Sequence, residues 1–387
     1  MSRAGRVMLS AGEASGDRLG AGLARALLER RPQLELFGMG GEQMAEAGVE
    51  VIQDASEVAV VGFSEVLAHL PALYAAKRRL ESALAERAPD LLVPIDFPDF
   101  NFLLSARARR LDVPVVYFVS PQIWAWRRGR VRRIRRFVRR MLVLFPFEVD
   151  FYREAGVPVS FVGHPVAERP ADDDATDEWR AGVGFDPALR LVALLPGSRR
   201  SEVDRLLPVM LAAAKRLATA RDGLGFVIPL ARGLDRRAVE ARVAESGLRE
   251  TRLVERHFPQ VLRSCAAGVV ASGTASLEAA VLGLPIVVVY RVGRFSYWIG
   301  RALVRVDHIA LPNLVAQRRV VPELVQDDCT PQAIADAVAS FLDDPGRVAQ
   351  LRGELAEVER RLGGPGVFER AADAVLAELD AATGRTA

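Results

Sequence analysis

The sequence predicts a two-lobed α/β architecture in which each lobe is a doubly wound parallel sheet flanked by helices. Three observations carry that prediction. Short β-branched runs alternate with longer amphipathic segments along most of the chain, the signature of successive βαβ units. Those runs are continuously apolar rather than alternating, as strands covered on both faces must be. At 387 residues the chain exceeds one ordinary core, so two domains of roughly 150–200 residues are expected.

In the first half, Val7–Ser10, Leu34–Met39, Leu91–Ile95, Val115–Val119 and Met141–Phe145 read as buried strands. Leu19, Leu23, Ala26 and Leu27 share one helical face, and Leu70, Leu73, Ala76, Lys77, Leu80 and Leu84 mark another helix. The pattern lapses after Val162-Gly163-His164-Pro165 into Glu168-Arg169-Pro170-Ala171-Asp172-Asp173-Asp174, a linker by composition. A second series follows in Leu191–Leu195, Phe226–Pro229, Arg252–Val254, Gly268–Ala271 and Pro285–Val289. From Pro331 onward the pattern is helical only. Two such lobes facing a cleft would offer ligands the carboxyl ends of their strands.

Composition narrows the class. Half the residues are hydrophobic and 26% charged, which is globular rather than disordered. The net charge of only +3 argues against a polyanion binder as a whole. Cys265 and Cys329 build neither a disulfide framework nor a metal quartet, which suits a reducing cytoplasm. No signal-peptide pattern or membrane span is read, because the charge-free runs fall short of the ~18–20 residues that a span requires.

Several strand ends carry chemistry. Ser10-Ala11-Gly12-Glu13-Ala14-Ser15-Gly16-Asp17 joins a strand to a helix whose N-terminal N–H groups suit an anion or a sugar hydroxyl. Asp17 or Ser15 can equally serve as a helix cap, which leaves Glu13 unexplained. Ile95-Asp96-Phe97-Pro98-Asp99-Phe100-Asn101 puts Asp96 at a strand's carboxyl end as a candidate general base, with Asp99 read as the cap of the next helix. In the second half, Gly197, Ser198 and Arg199 form a turn fit for phosphate. Ser272, Gly273 and Thr274 form a second, with Glu278 one helical turn on, placed for a ribose diol; an N-cap role for Thr274 is compatible with this.

Nine arginines and no acid fall between Arg127 and Arg140, with Val131, Ile134, Val138 and Met141 at helical spacing. This predicts a basic amphipathic helix. An anionic membrane surface, nucleic acid and a solvated face compete as its role. Nucleic acid is weakened by the balanced charge of the rest.

Taken together, these motifs resemble the lipid-A-disaccharide synthase family, inverting glycosyltransferases with two Rossmann-like domains (GT-B type). The resemblance rests on Ala11–Asp17, Ile95–Asn101, Tyr117-Phe118-Val119-Ser120-Pro121-Gln122-Ile123-Trp124-Ala125-Trp126-Arg127, Leu195–Arg199, Ala271–Ala275 and Leu311-Pro312-Asn313-Leu314, in that order. It implies condensation of UDP-2,3-diacylglucosamine with 2,3-diacylglucosamine 1-phosphate into a β-1,6-linked tetraacyl disaccharide 1-phosphate, releasing UDP. Asp96 then matches the catalytic aspartate, and Glu13, Ser15 and Asp17 the acceptor-side loop. Gly197, Ser198, Arg199, Ser272, Gly273, Thr274, Glu278 and Asn313 match the UDP side. No metal and no cofactor are implied, and Asp172–Asp174 reads as solvated acid. Acylated substrates imply a peripheral enzyme on the anionic inner face of the cytoplasmic membrane. There Arg132, Arg135 and Arg136 would meet headgroups, and Phe63, Val66, Leu67, Leu70 and Leu73 would meet acyl chains, unless that stripe is core. The implied division is an acceptor- and membrane-facing domain over 1–166, a UDP domain over 167–345, and helices over 346–387 that pack back on the first domain. A homodimer is left open. The alternatives are a GT-B-type UDP-sugar epimerase and a non-catalytic membrane- or RNA-binding protein.

Overall fold

The structure is a computed structural model, and it describes residues 5–58, 66–126, 128–168, 176–231, 233–256, 258–293 and 307–384. Two compact units divide the chain. One comprises Met1–Glu168 together with Gly363–Ala387, the other Arg169–Leu362.

The first unit holds β1 (Arg6–Ala11), β2 (Glu35–Gly40), β3 (Glu50–Asp54), β4 (Leu91–Ile95), β5 (Val116–Phe118), β6 (Arg140–Val143) and β7 (Val159–Phe161). They form one parallel sheet in the order β3-β2-β1-β4-β5-β6-β7. Its helices are α1 (Ala14–Arg30), α2 (Glu42–Glu46), α3 (Val66–Arg87), α4 (Pro98–Arg110), α5 (Ile123–Trp126), α6 (Val131–Phe137) and α7 (Pro146–Glu154). Alternate residues of each strand enter opposite cores. Val7, Leu9, Leu91 and Val93 pack with α1, while Met8 and Leu92 pack with Ala76, Leu80 and Leu84 of α3. Covering on both faces is why these strands lack polar alternation.

The second unit holds β8 (Arg190–Leu195), β9 (Leu224–Pro229), β10 (Thr251–Val254), β11 (Cys265–Ala271), β12 (Ile286–Tyr290) and β13 (Glu323–Val325), parallel in the order β10-β9-β8-β11-β12-β13. Around it lie α8 (Thr176–Gly182), α9 (Arg200–Ala220), α10 (Arg236–Ser246), α11 (Phe258–Arg263), α12 (Thr274–Val281), α13 (Leu311–Ala316), α14 (Pro331–Asp343) and α15 (Pro345–Arg361). The last helix, α16 (Val367–Thr383), packs on α1 and closes the core of the first unit with Val367, Val375, Leu376 and Leu379. The tail expected over 346–387 is therefore split: α15 stays with the second unit and only the chain from Gly363 belongs to the first.

The arginine-rich stretch is not one helix. It runs as a 3-10 turn over Arg128–Arg130, then the two-turn α6, then the start of β6. Val138 is already extended. Arg139 and Arg140 both pair with Glu378 of α16, a carboxylate 9% exposed. Helical spacing at Met141 is overridden by strand pairing, with Met141 in β6 opposite Tyr117 of β5 and Val159 of β7. Within the described residues no helix is long and apolar enough to cross a membrane.

Candidate functional site

Strand order reverses once in each sheet. β1 lies between β2 and β4, and β8 lies between β9 and β11. Helices leave such neighbours on opposite faces and open a crevice at the strands' carboxyl ends, where α/β sheets bind ligands. The turns singled out by sequence leave the sheets at these points.

In the first unit, Ala11 and Ile95 are paired across β1 and β4, which brings the Glu13 and Asp96 turns side by side. Glu13, exposed, is the N-cap residue of α1, and its side chain makes no capping bond. Asp96 is mostly buried, and its carboxyl is pushed up to about 6, first by burial and then by the Glu13 charge, against a lowering bond from the Phe97 N–H. An aspartate tuned in this way accepts a proton close to neutral pH. Ser15 is exposed in the first turn of α1.

The backbone at Asp96 is unusual. Asp96 and Phe97 have φ of 46° and 47°, two consecutive side-chain-bearing residues in the left-handed region. The Phe97 ring lies over Gly12, where an added Cβ would fall 2.2 Å from ring atom Cδ1. Glycine at position 12 is thus required by close approach.

Two acidic residues have roles other than those expected. Asp17 is buried, and its carboxylate accepts the N–H groups of Gly41 (2.7 Å), Gln43 (3.1 Å) and Met44 (3.1 Å). It caps α2, not its own helix. Asp99 is not the N-cap of α4, which is Phe97. It stands exposed in the first turn, 2.7 Å from Arg130.

Two further buried polar groups of the first unit have no counterpart in the sequence expectations. The carboxyl of Glu148 on α7 lies fully inside, accepts the Trp124 indole N–H (3.1 Å) and the Phe145 N–H (3.1 Å), and is raised by burial to about 7. His164, after β7, accepts the Val166 N–H at Nδ1 and is lowered to about 4 by burial and then by Arg18, so it is neutral. Only the short spacing between Phe145-Pro146-Phe147-Glu148 and a strand end hinted at the first.

In the second unit, Gly197 has φ of +113°, and Ser198 and Arg199 are exposed at the start of α9. Their N–H groups are taken by Glu202 Oε2, at 3.1 and 3.3 Å. Glu202 thus closes a capping box at the start of α9, on the N–H groups expected to meet phosphate. Beside it, Ser272 donates to the Ile309 carbonyl (2.8 Å), Gly273 precedes α12, Thr274 is exposed at its first position, and Glu278 is half-buried one turn on. Tyr290, at the end of β12, is pushed up first by burial and then by the Glu202 charge, with Arg199 opposing, which puts it near this turn.

Asn313 is corrected. It is fully buried, donates to the Val321 carbonyl (2.9 Å) and Glu323 Oε1 (2.7 Å), and accepts the N–H groups of Val320 (2.7 Å) and Val321 (2.9 Å). All its capacity is used internally, so it holds α13 to β13. Of the apolar stripe, Phe63 lies outside the described residues, Val66 and Leu67 lie in the first turn of α3, Leu70 is 50% exposed and Leu73 is partly buried against the core.

Comparison with known proteins sets these sites in a family. A family model described as lipid-A-disaccharide synthetase matches residues 7–364. The lipid-A-disaccharide synthase of Geobacter sulfurreducens is 48% identical over 374 residues, 97% of each chain. That of Myxococcus xanthus is 48% identical, covering 97% of this chain and 98% of its own. Solved structures share the fold at low identity. A UDP-GlcNAc 2-epimerase from Neisseria meningitidis bound to UDP-GlcNAc has TM-score 0.65 at 14% identity, covering 96% of this chain and 99% of its own. MurG of Acinetobacter baumannii has 0.58 at 15%, covering 97% and 99%. The fold is accordingly GT-B. By the family model and relatives alike, the chain is a glycosyltransferase and belongs to the lipid-A-disaccharide synthase family.

Proposed function

We propose that this chain condenses UDP-2,3-diacylglucosamine with 2,3-diacylglucosamine 1-phosphate in a single inverting displacement. Asp96 takes the proton of the acceptor's 6-hydroxyl as that oxygen bonds to the donor's anomeric carbon. The bond from that carbon to the diphosphate breaks, and UDP leaves with the electron pair. The N–H groups at the starts of α9 and α12, with Arg199, carry the developing charge. Glu202 must swing aside to release the first of these. Glu278 serves the ribose.

The carrying observation is Asp96: a carboxyl at the switch point of the first sheet, raised to about 6 by burial and Glu13. Asp96→Asn keeps size and removes the base, so kcat should fall about 10²–10⁴-fold with UDP affinity retained. UDP release from acylated substrates checks it, and a variant keeping most of its kcat at saturation would exclude Asp96. The epimerase alternative has only the shared fold in its favour, at 12–14% identity.

Membrane docking is the second part of the proposal. Leu70, Tyr74 and Leu103 are the large hydrophobic side chains exposed by half or more among the described residues. They lie on α3 and α4, which pack together, and α4 packs against α6. Arg132, Arg133, Arg135 and Arg136 of α6 and Arg109 and Arg110 of α4 are exposed on the same group of helices. Exposed apolar and cationic side chains on neighbouring helices suit an anionic bilayer.

A further inference from the structure

We propose that Tyr117 and Asn101 are positioning residues that lock the backbone elbow at Asp96–Phe97 and thereby fix the direction in which Asp96 presents its carboxylate; this rests on Asp96 acting as the base.

The elbow is strained. A side-chain-bearing residue in the left-handed region is strained and persists only where surroundings over-determine it. Here two such residues follow one another directly after β4. The reversal turns the Asp96 carbonyl inward, away from both strand ladder and helix. Two side chains meet it there. The Tyr117 hydroxyl donates to it at 2.7 Å and Asn101 Nδ2 at 2.8 Å.

Each donor is itself fixed. Asn101 is fully buried on α4. Its Nδ2 also reaches the Ser10 carbonyl (3.0 Å), and its Oδ1 accepts the Ser10 hydroxyl (2.7 Å). β1, β4 and α4 are thus tied through one amide. Tyr117 is fully buried on β5, and burial first, then the Asp96 charge, push its hydroxyl well above the ordinary phenol range. It remains a donor throughout the working pH range. Neither side chain is needed to pair strands. What both restrain is the one peptide whose orientation sets the Asp96 side chain, and misplacement near 1 Å is enough to cost about 10²-fold in rate.

The test is Tyr117→Phe, which removes one oxygen and almost no volume, assayed alone and combined with Asp96→Asn. Expected for Tyr117→Phe are a fall in kcat of about tenfold or more, KM for both substrates within about twofold, and a displaced acid limb of the pH profile. Combined with Asp96→Asn, the same change should alter the residual rate less than about twofold, because its route is gone. Ser10→Ala, which frees the Asn101 amide, should reproduce a smaller kcat loss, and it keeps the test alive should Tyr117→Phe not fold. Unchanged kcat in both variants overturns the proposal, as does an equal loss in the Asp96→Asn background. If the Asp96→Asn enzyme alone retains its kcat, it is the base assignment that has failed.

Discussion

At the scale of single residues, Asp96 shows chemistry set against stability. Its folded value of about 6 lies above the ordinary 3.8, so the folded chain binds this proton more tightly than the unfolded chain does. The associated stability is complete below about pH 3.8 and is lost as pH rises through about 6, amounting to as much as about 3 kcal/mol. Asp96→Asn should therefore raise the melting temperature at about pH 8 and leave it nearly unchanged at about pH 4. A gain independent of pH would show that ionisation of this group is not its source. Sequence placed Asp96 by its strand end alone. It could not reveal the left-handed elbow, because nothing in Asp-Phe-Pro announces two positive φ angles; they follow from Tyr117 on another strand. Nor could it separate Asp17 from Glu13, since the three N–H groups that bind the Asp17 carboxylate lie at Gly41–Met44.

Whole elements were legible where burial is complete on both faces. Leu91–Ile95 has the bounds expected, and the other interior strands differ by a residue or a few at their ends. β3, β7 and β13 went unread. Each is at the margin of its sheet and only partly buried, so its sequence lacks the continuous apolar run. The arginine stretch has helical spacing as far as Met141, whereas pairing with β5 and β7 makes its end a strand. What remains on α6 is four exposed arginines. If α3, α4 and α6 form the docking surface, two triple variants should fail differently. Reversing Arg132, Arg135 and Arg136 to Glu should weaken binding to phosphatidylglycerol-containing vesicles by about 100-fold or more at low salt, at roughly 1 kcal/mol per charge. Replacing Leu70, Tyr74 and Leu103 by Ser should weaken it at high salt as well, because apolar burial is not screened. Vesicle co-sedimentation reads both. Binding equal to the parent in either variant would remove that component from the surface.

For the whole molecule, the discontinuity of the first unit matters most. α16 supplies Val367, Val375, Leu376 and Leu379 to a core otherwise built from residues before 169. At roughly 1.5–3 kcal/mol each, these four represent about 6–12 kcal/mol, comparable with the entire stability of a domain. Arg31 grips Asp380 through two bonds of 2.7 and 2.8 Å, and Arg140 holds Glu378. Deleting the chain from Gly363 should therefore leave the first unit without cooperative unfolding while the second retains its own transition. Calorimetry would show one transition lost. Two transitions at the parent's temperatures would mean that α16 is dispensable.

The same connectivity dictates the order in which the protein can be made. The first unit begins to emerge from the ribosome first, yet the helix that seals it is translated only after all of Arg169–Leu362. At about 5–20 residues per second that interval lasts roughly ten seconds or more. Throughout it, the face of α1 that α16 will cover is exposed to solvent, while the second unit is already long enough to fold. The nascent chain therefore passes through a state with its first unit unfinished and its second complete, and in that interval a holdase chaperone has apolar surface to bind.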